Sequence, residues 1–167
     1  MLDYLFRLFK MAKRHKGEMM ESTGYTDING LIVEQMADAM IYSDKEGIIR
    51  GWNAAAEAVF GYAKADAIGQ SLDLIIPEHL RDAHWAGFNR AMESGKTRLA
   101  GHAAITRSLT RSKGTIYVEM SFAVVSDGNG KVIGSVAVAR DATQRREKER
   151  ALRERVEMLE KLNPGAA

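Results

Sequence analysis

The 167-residue sequence contains no cysteine. That absence excludes disulfides, thiolate metal sites, thioether-linked haem, cysteine nucleophiles and any cysteinyl photoadduct. Four histidines remain as the nitrogen side chains suited to a soft metal. Long hydrophobic runs are missing too, since nothing approaches the ~18 apolar residues of a membrane span. The N-terminus lacks the basic start, apolar middle and small-residue cleavage site of a signal peptide, so the expected location is cytoplasmic. Charge of one sign is scarce, with 24 Lys and Arg against 22 Asp and Glu for a net +2. No basic stripe with interleaved aromatics crosses the middle of the chain, which argues against a nucleic-acid partner. Nor is there a nucleophile–base pair, a phosphate loop or a carboxylate metal cluster, so no enzymatic turnover is expected.

What is present is enough for a core: 46% of residues are hydrophobic, and the length suits one domain with flanking segments. The small net charge hides an uneven distribution. Residues 1–16 and 140–162 together carry about +6, and the remainder about −4. From Leu2 to Ala12, apolar residues at helical spacing face Arg7, Lys10, Lys13, Arg14 and Lys16, which reads as an amphipathic basic helix. Contact of residues 1–16 with a membrane surface fits this pattern, but packing on the domain or on a second subunit is favoured. Residues 17–27 read as a linker, and Ile28, Leu31, Ile32 and Met36 form a second helical stripe.

The period then changes. Ala39–Ser43 and Gly47–Trp52, split by Asp44-Lys-Glu-Gly47, predict a β-hairpin. Asn53 and Gly61 cap a short helix over 54–60, and residues 64–75 carry another helical turn. A longer helix is predicted over 78–94, with Leu80, Ala83, His84, Gly87, Phe88 and Ala91 on its apolar stripe. Strands follow at about 97–109, 115–125 and 131–140. Their hairpins carry Arg111-Ser-Lys-Gly114 and Asp127-Gly-Asn-Gly130. Asp141-Ala-Thr-Gln144 caps a final charged helix reaching about Leu162. The expected fold is α+β: a five-stranded antiparallel sheet with helices on one face, and helical N- and C-terminal flanks. The expected segments are 1–27 (basic helix and linker), 28–143 (domain) and 144–167 (C-terminal helix and tail).

Several separated motifs in one order carry a resemblance. Asp44-x-x-Gly47-x-Ile49-x-x-Trp52-Asn53-x-Ala55-Ala56, Phe60-Gly-Tyr62, Ile68-Gly69, Pro77, Lys113-Gly114 and Arg140-Asp141-Ala-Thr143-x-Arg145 resemble the PAS sensor domain. Within that family, Pro77-Glu-His-Leu-Arg-Asp-Ala-His84 and Gly95–Gly101 are similar to the haem-binding subgroup, which includes oxygen-sensing histidine kinases and oxygen-regulated cyclic-di-GMP phosphodiesterases. The resemblance implies non-covalent haem b with His84 as proximal ligand. The position of the phosphodiesterases' distal methionine is held by His102, which would make a second iron ligand. An arginine that hydrogen-bonds dioxygen in both relatives is replaced by Ala104, and Arg107 falls on the opposite strand face from His102. Loss of that charge-assisted bond favours a redox, CO or NO sensor over a strong oxygen binder.

The pocket is expected to be lined by Leu99, Ala104, Met120 and Phe122, with Val136 and Val138 on the next strand. A flavin, FAD or FMN, stacked on Trp52 is one alternative, and a cofactor-free dimerisation or scaffold module is another. The resemblance further implies signalling through the flanking helices. Expected partners are a diatomic gas, a second copy meeting through the terminal helices, and a kinase or other output protein.

Overall fold

The computed structural model describes residues 27–99 and 101–162. The basic helix expected over residues 2–16 and the linker as far as residue 26 lie outside the described residues. The chain divides into two compact units, residues 1–32 and 33–167. In the first unit helix α1 (Ile28–Gln35) begins, with the Leu31 N–H donating to the Asp27 carbonyl at 3.0 Å. Ile28 and Ile32 are more than half exposed.

The second unit holds the rest. Strands β1 (Ala39–Asp44) and β2 (Ile49–Trp52) form the expected hairpin. Its turn places Gly47 at φ +76°, and the Asp44 carboxylate accepts from the Ile48 N–H at 2.9 Å. Helix α2 (Ala54–Phe60) starts where the Asn53 side chain accepts from the Ala56 N–H, and ends at Gly61 in the left-handed region. A short α3 (Lys64–Ala67) and two 3-10 turns, Leu72–Leu74 and Glu78–Leu80, lead into α4 (Arg81–Ser94). Strands β3 (Ala104–Leu109), β4 (Thr115–Ser126) and β5 (Val132–Asp141) follow, and α5 (Thr143–Leu162) is the last element among the described residues.

The five strands make one antiparallel sheet in the order β2-β1-β5-β4-β3. The fold class is therefore α+β, as the pattern of the sequence implied. The last strand lies in the middle, between β1 and β4. Between β3 and β4 it is Lys113, at φ +60°, that takes the left-handed conformation expected of a glycine, while its neighbour Gly114 accepts from the Thr110 N–H.

Cross-strand register fixes which side chains face the helices. Ile41 pairs with Ala137, Phe122 with Ala137, Met120 with Ala139 and Ala104 with Met120. All share one face, where Ile41, Val118, Met120, Ala137 and Ala139 are buried with Trp52, Phe60 and Phe88. Val136 and Val138 pair with Tyr42 and Met40, so they point to the other face and do not line the helix side with Met120 and Phe122. The valines looked like core because of their shape. Beneath α4, however, β5 presents alanines, which leave room for the bulky Trp85 and Phe88, while branched residues serve the outer face through strand preference.

Candidate functional site

Helix α4 stops at Gly95, whose left-handed φ of +69° lets its N–H return to the Ala91 carbonyl at 2.9 Å. Its inner face is Arg81, His84, Trp85, Phe88 and Met92, a spacing of three and four. The expected stripe is thus rotated: Ala83 is exposed, and Trp85, absent from that stripe, packs against the core. Burial of the much larger indole outweighs burial of a methyl group.

His84 lies in an aromatic nest. Its ring stacks on Phe88 at 6.0 Å between centroids and meets Trp85 edge-on at 5.2 Å. Nε2 is buried and, among the described residues, is a buried side-chain polar atom without a hydrogen-bond partner. Burial holds the imidazole below its ordinary pKa, opposed by the negative charge of Asp73. At neutral pH the ring is consequently uncharged. Such a nitrogen is costly to leave unpaired, about 1–3 kcal/mol.

Asp73 sits on the 3-10 turn beside α4. Its carboxylate accepts from the Trp85 indole N–H at 2.9 Å and lies 3.6 Å from Arg81 Nε. Arg81 also donates to the main-chain carbonyls of Asp73 and Ile76, at 3.2 and 3.3 Å. No sequence motif singles out Asp73. Twelve residues and two turns separate it from Trp85, and no periodic pattern bridges such a gap.

Met120, Phe122 and Ala104 stand on the helix-facing side of the sheet, and Leu99 is half-buried. His102 is exposed. The strand expected from residue 97 begins only at Ala104, because Gly101 at φ +84° turns the chain and the His102 N–H bonds the Leu99 carbonyl at 2.8 Å. Among the described residues no hydrogen bond or ring contact joins His84 to His102. His79 is exposed on its 3-10 turn, and His15 lies outside the described residues. Trp52 is 1% exposed against Phe60, with its N–H on the Tyr62 carbonyl, and has no free face to stack on a flavin.

On the outer face, Val138, Ser121, Asp38, Glu119 and Arg140 line a shallow cavity of about 180 Å³. Arg140 pairs with Asp38, and Arg145 of α5 forks onto Glu119 at 3.0 and 3.2 Å. Each arginine holds its carboxylate below the usual pKa. The Asp141 carboxylate accepts from the Thr143 N–H, while the Thr143 hydroxyl accepts from the Tyr117 N–H at 3.0 Å. The C-terminal helix is therefore anchored to β4 as well as to the last strand.

Comparison with known proteins fits this architecture. The sequence model of the PAS fold matches residues 30–142, and the chain belongs to the PAS family. It is a sensory module of the kind found in signalling proteins. Among curated relatives, the sensor protein FixL of Bradyrhizobium diazoefficiens is 28% identical over 123 residues, 74% of this chain and 24% of that protein. The oxygen sensor protein DosP of Escherichia coli is 29% identical over 110 residues, 66% of this chain and 13% of that protein. The chain thus spans at most about a quarter of the length of either. Among solved structures, an RNA-binding light-oxygen-voltage receptor shares the fold with a TM-score of 0.63 at 19% identity, covering 81% of this chain and 40% of the other. No helix among the described residues is long and apolar enough to cross a membrane.

Proposed function

We propose that this PAS domain is a haem-b-binding sensor of redox state or of a diatomic gas, with His84 as the iron ligand. The observation that carries the reading is the unpartnered Nε2 of His84, buried on the sheet-facing side of α4 and kept neutral by its surroundings. A neutral imidazole with a free nitrogen is the form that binds iron. When bound, the haem would supply a redox-active iron with a position for a small ligand. The residue type, its protonation and its dry aromatic shelter of Trp85 and Phe88 all fit that group.

Ala104, on the helix-facing side of β3, offers an incoming dioxygen no hydrogen-bond donor, whereas CO needs none. That favours CO, NO or redox sensing over stable oxygen binding. His102 stands on an exposed turn, so a role as second ligand rests on the motif resemblance alone. Signals would leave through α5, whose Leu152, Val156 and Leu159 form an exposed apolar seam with the spacing of a two-helix contact. A second copy, and an output partner such as a kinase, are the proposed recipients.

The test is one absorption spectrum of the full chain expressed with haem supply. A Soret band lost in His84→Ala supports the reading, and flavin absorption or a bare protein band defeats it. Substituting His102 by Ala decides its part: a changed spectrum with haem retained supports ligation, and an unchanged one removes it.

A further inference from the structure

Holding an iron ligand on a helix demands control of the helix's rotation, since a few degrees about its axis swing the imidazole nitrogen away from its target. Hydrophobic packing alone is poor at this, because apolar contacts are non-directional. A hydrogen bond to a side chain on the same helix is directional and supplies the missing restraint. Beside His84 in sequence stands such a side chain. Trp85 carries the one polar group of its ring, the indole N–H, and that group is bonded to the Asp73 carboxylate at 2.9 Å.

Asp73 is itself held. Its backbone N–H donates to the Ser71 hydroxyl at 3.2 Å, its carbonyl accepts from Arg81, and its carboxylate lies 3.6 Å from Arg81 Nε. Arg81 is one turn before Trp85 on α4, so two residues of the same helix face are tied to one acidic residue off the helix. On its other side the indole lies against the turn between β1 and β2, where its ring carbons are so close to Gly47 that a Cβ there would stand 2.3 Å from Cη2. The ring is therefore fixed at its N–H end by Asp73 and at its benzo end by the turn. His84 makes no hydrogen bond of its own through Nε2.

We infer that Asp73 is a positioning residue for His84, setting the rotation of α4 through the Trp85 indole and so aiming the imidazole at its ligand. The inference rests on the haem reading for what the imidazole is aimed at, and on the hydrogen-bonded geometry for the aiming itself.

The experiment compares the wild-type chain with Asp73→Ala and Asp73→Asn, and uses Trp85→Phe to assign the indole signal. The amide of Asn keeps an oxygen that can accept the indole N–H, whereas Ala removes the acceptor. In the haem-free protein, Asp73→Ala should speed hydrogen exchange of the Trp85 indole N–H about tenfold and shift the ring proton signals of His84, both restored by Asp73→Asn. In the haem-loaded protein, Asp73→Ala should weaken haem binding about tenfold and broaden the iron–histidine stretching band, and Asn should again restore them. Unchanged indole and imidazole signals in Asp73→Ala overturn the inference, as does a folded Asp73→Asn that behaves like Ala. A wild type that takes up no haem defeats the proposed function alone, because the haem-free signals still decide the positioning.

Discussion

The six-membered ring of Trp85 lies on Gly47 so closely that a methyl group at that glycine would overlap it, with 2.3 and 2.4 Å to two ring carbons. Helix α4 and the first hairpin are thus closely fitted to each other at this point. Gly47 is doubly constrained, because its φ of +76° also disfavours a side chain. Substitution by Ala should cost about 2 kcal/mol or more, from backbone strain plus displacement of the indole. Urea unfolding would measure the loss, and a red shift of tryptophan emission would report the displaced ring.

The imidazole of His84 should be a liability to the haem-free protein. Replacing it with Leu removes an unpartnered buried nitrogen and should raise stability by about 1 kcal/mol in the absence of haem, while abolishing haem loading. A higher urea midpoint at unchanged slope is the expected result.

Acid sensitivity follows from the same residue. Burial lowers the His84 pKa in the fold from its ordinary 6.5, so below that value the unfolded chain binds the extra proton first. Stability is therefore fully present above pH 6.5 and falls as the pH drops from there through the folded value. His84→Leu should flatten this limb. Asp38 and Glu119, held low by Arg140 and Arg145, add a further loss only below the ordinary carboxylate range. Unfolding midpoints across pH 7 to 5 for both proteins, taken by chemical denaturation, check the sign.

Asn53 should be less replaceable than its role as a helix cap suggests. Its carbonyl oxygen accepts from the N–H groups of Met40 and Ala56, and its amide donates to the carbonyls of Val33 and Asp38. Asp at this position keeps the acceptor but sets a carboxylate against two carbonyls. Asn53→Asp should therefore destabilise by about 3 kcal/mol, more than a helix cap alone is worth. Thermal unfolding of the two proteins side by side measures it.

Where the last strand passes into the C-terminal helix, Thr143→Val should loosen α5 without unfolding the core. The hydroxyl that meets the Tyr117 N–H is lost while shape is kept, at about 1 kcal/mol. Faster amide exchange confined to the helix after residue 143 is the expected signature.

Hairpin glycines, cap residues and strand alternation made the order of elements readable, since each acts within a few residues. The two histidines separated for the same reason. His84 lies within a helix, where spacing determines its face. His102 depended on where a strand begins, and the turn at Gly101 postponed that start to Ala104. Val136 and Val138 were misplaced because alternation in β5 reveals two faces without saying which one α4 covers. That choice comes from pairing with β1 and β4, whose partners are far away in sequence. The Asp73–Trp85 bond is likewise a product of tertiary packing.

Placing the final strand at the centre of the sheet makes completion of the core a late event. The Ala39–Ala139 pair joins residues 100 positions apart, so the β1–β2 and β3–β4 hairpins emerge in synthesis with their inner edges open, awaiting β5. A chain cut short before Val132 would leave two exposed ladders, each a template for intermolecular pairing. The strand that seals them runs straight into α5, so the helix that would carry a signal outward is born only once the domain it reports on can close.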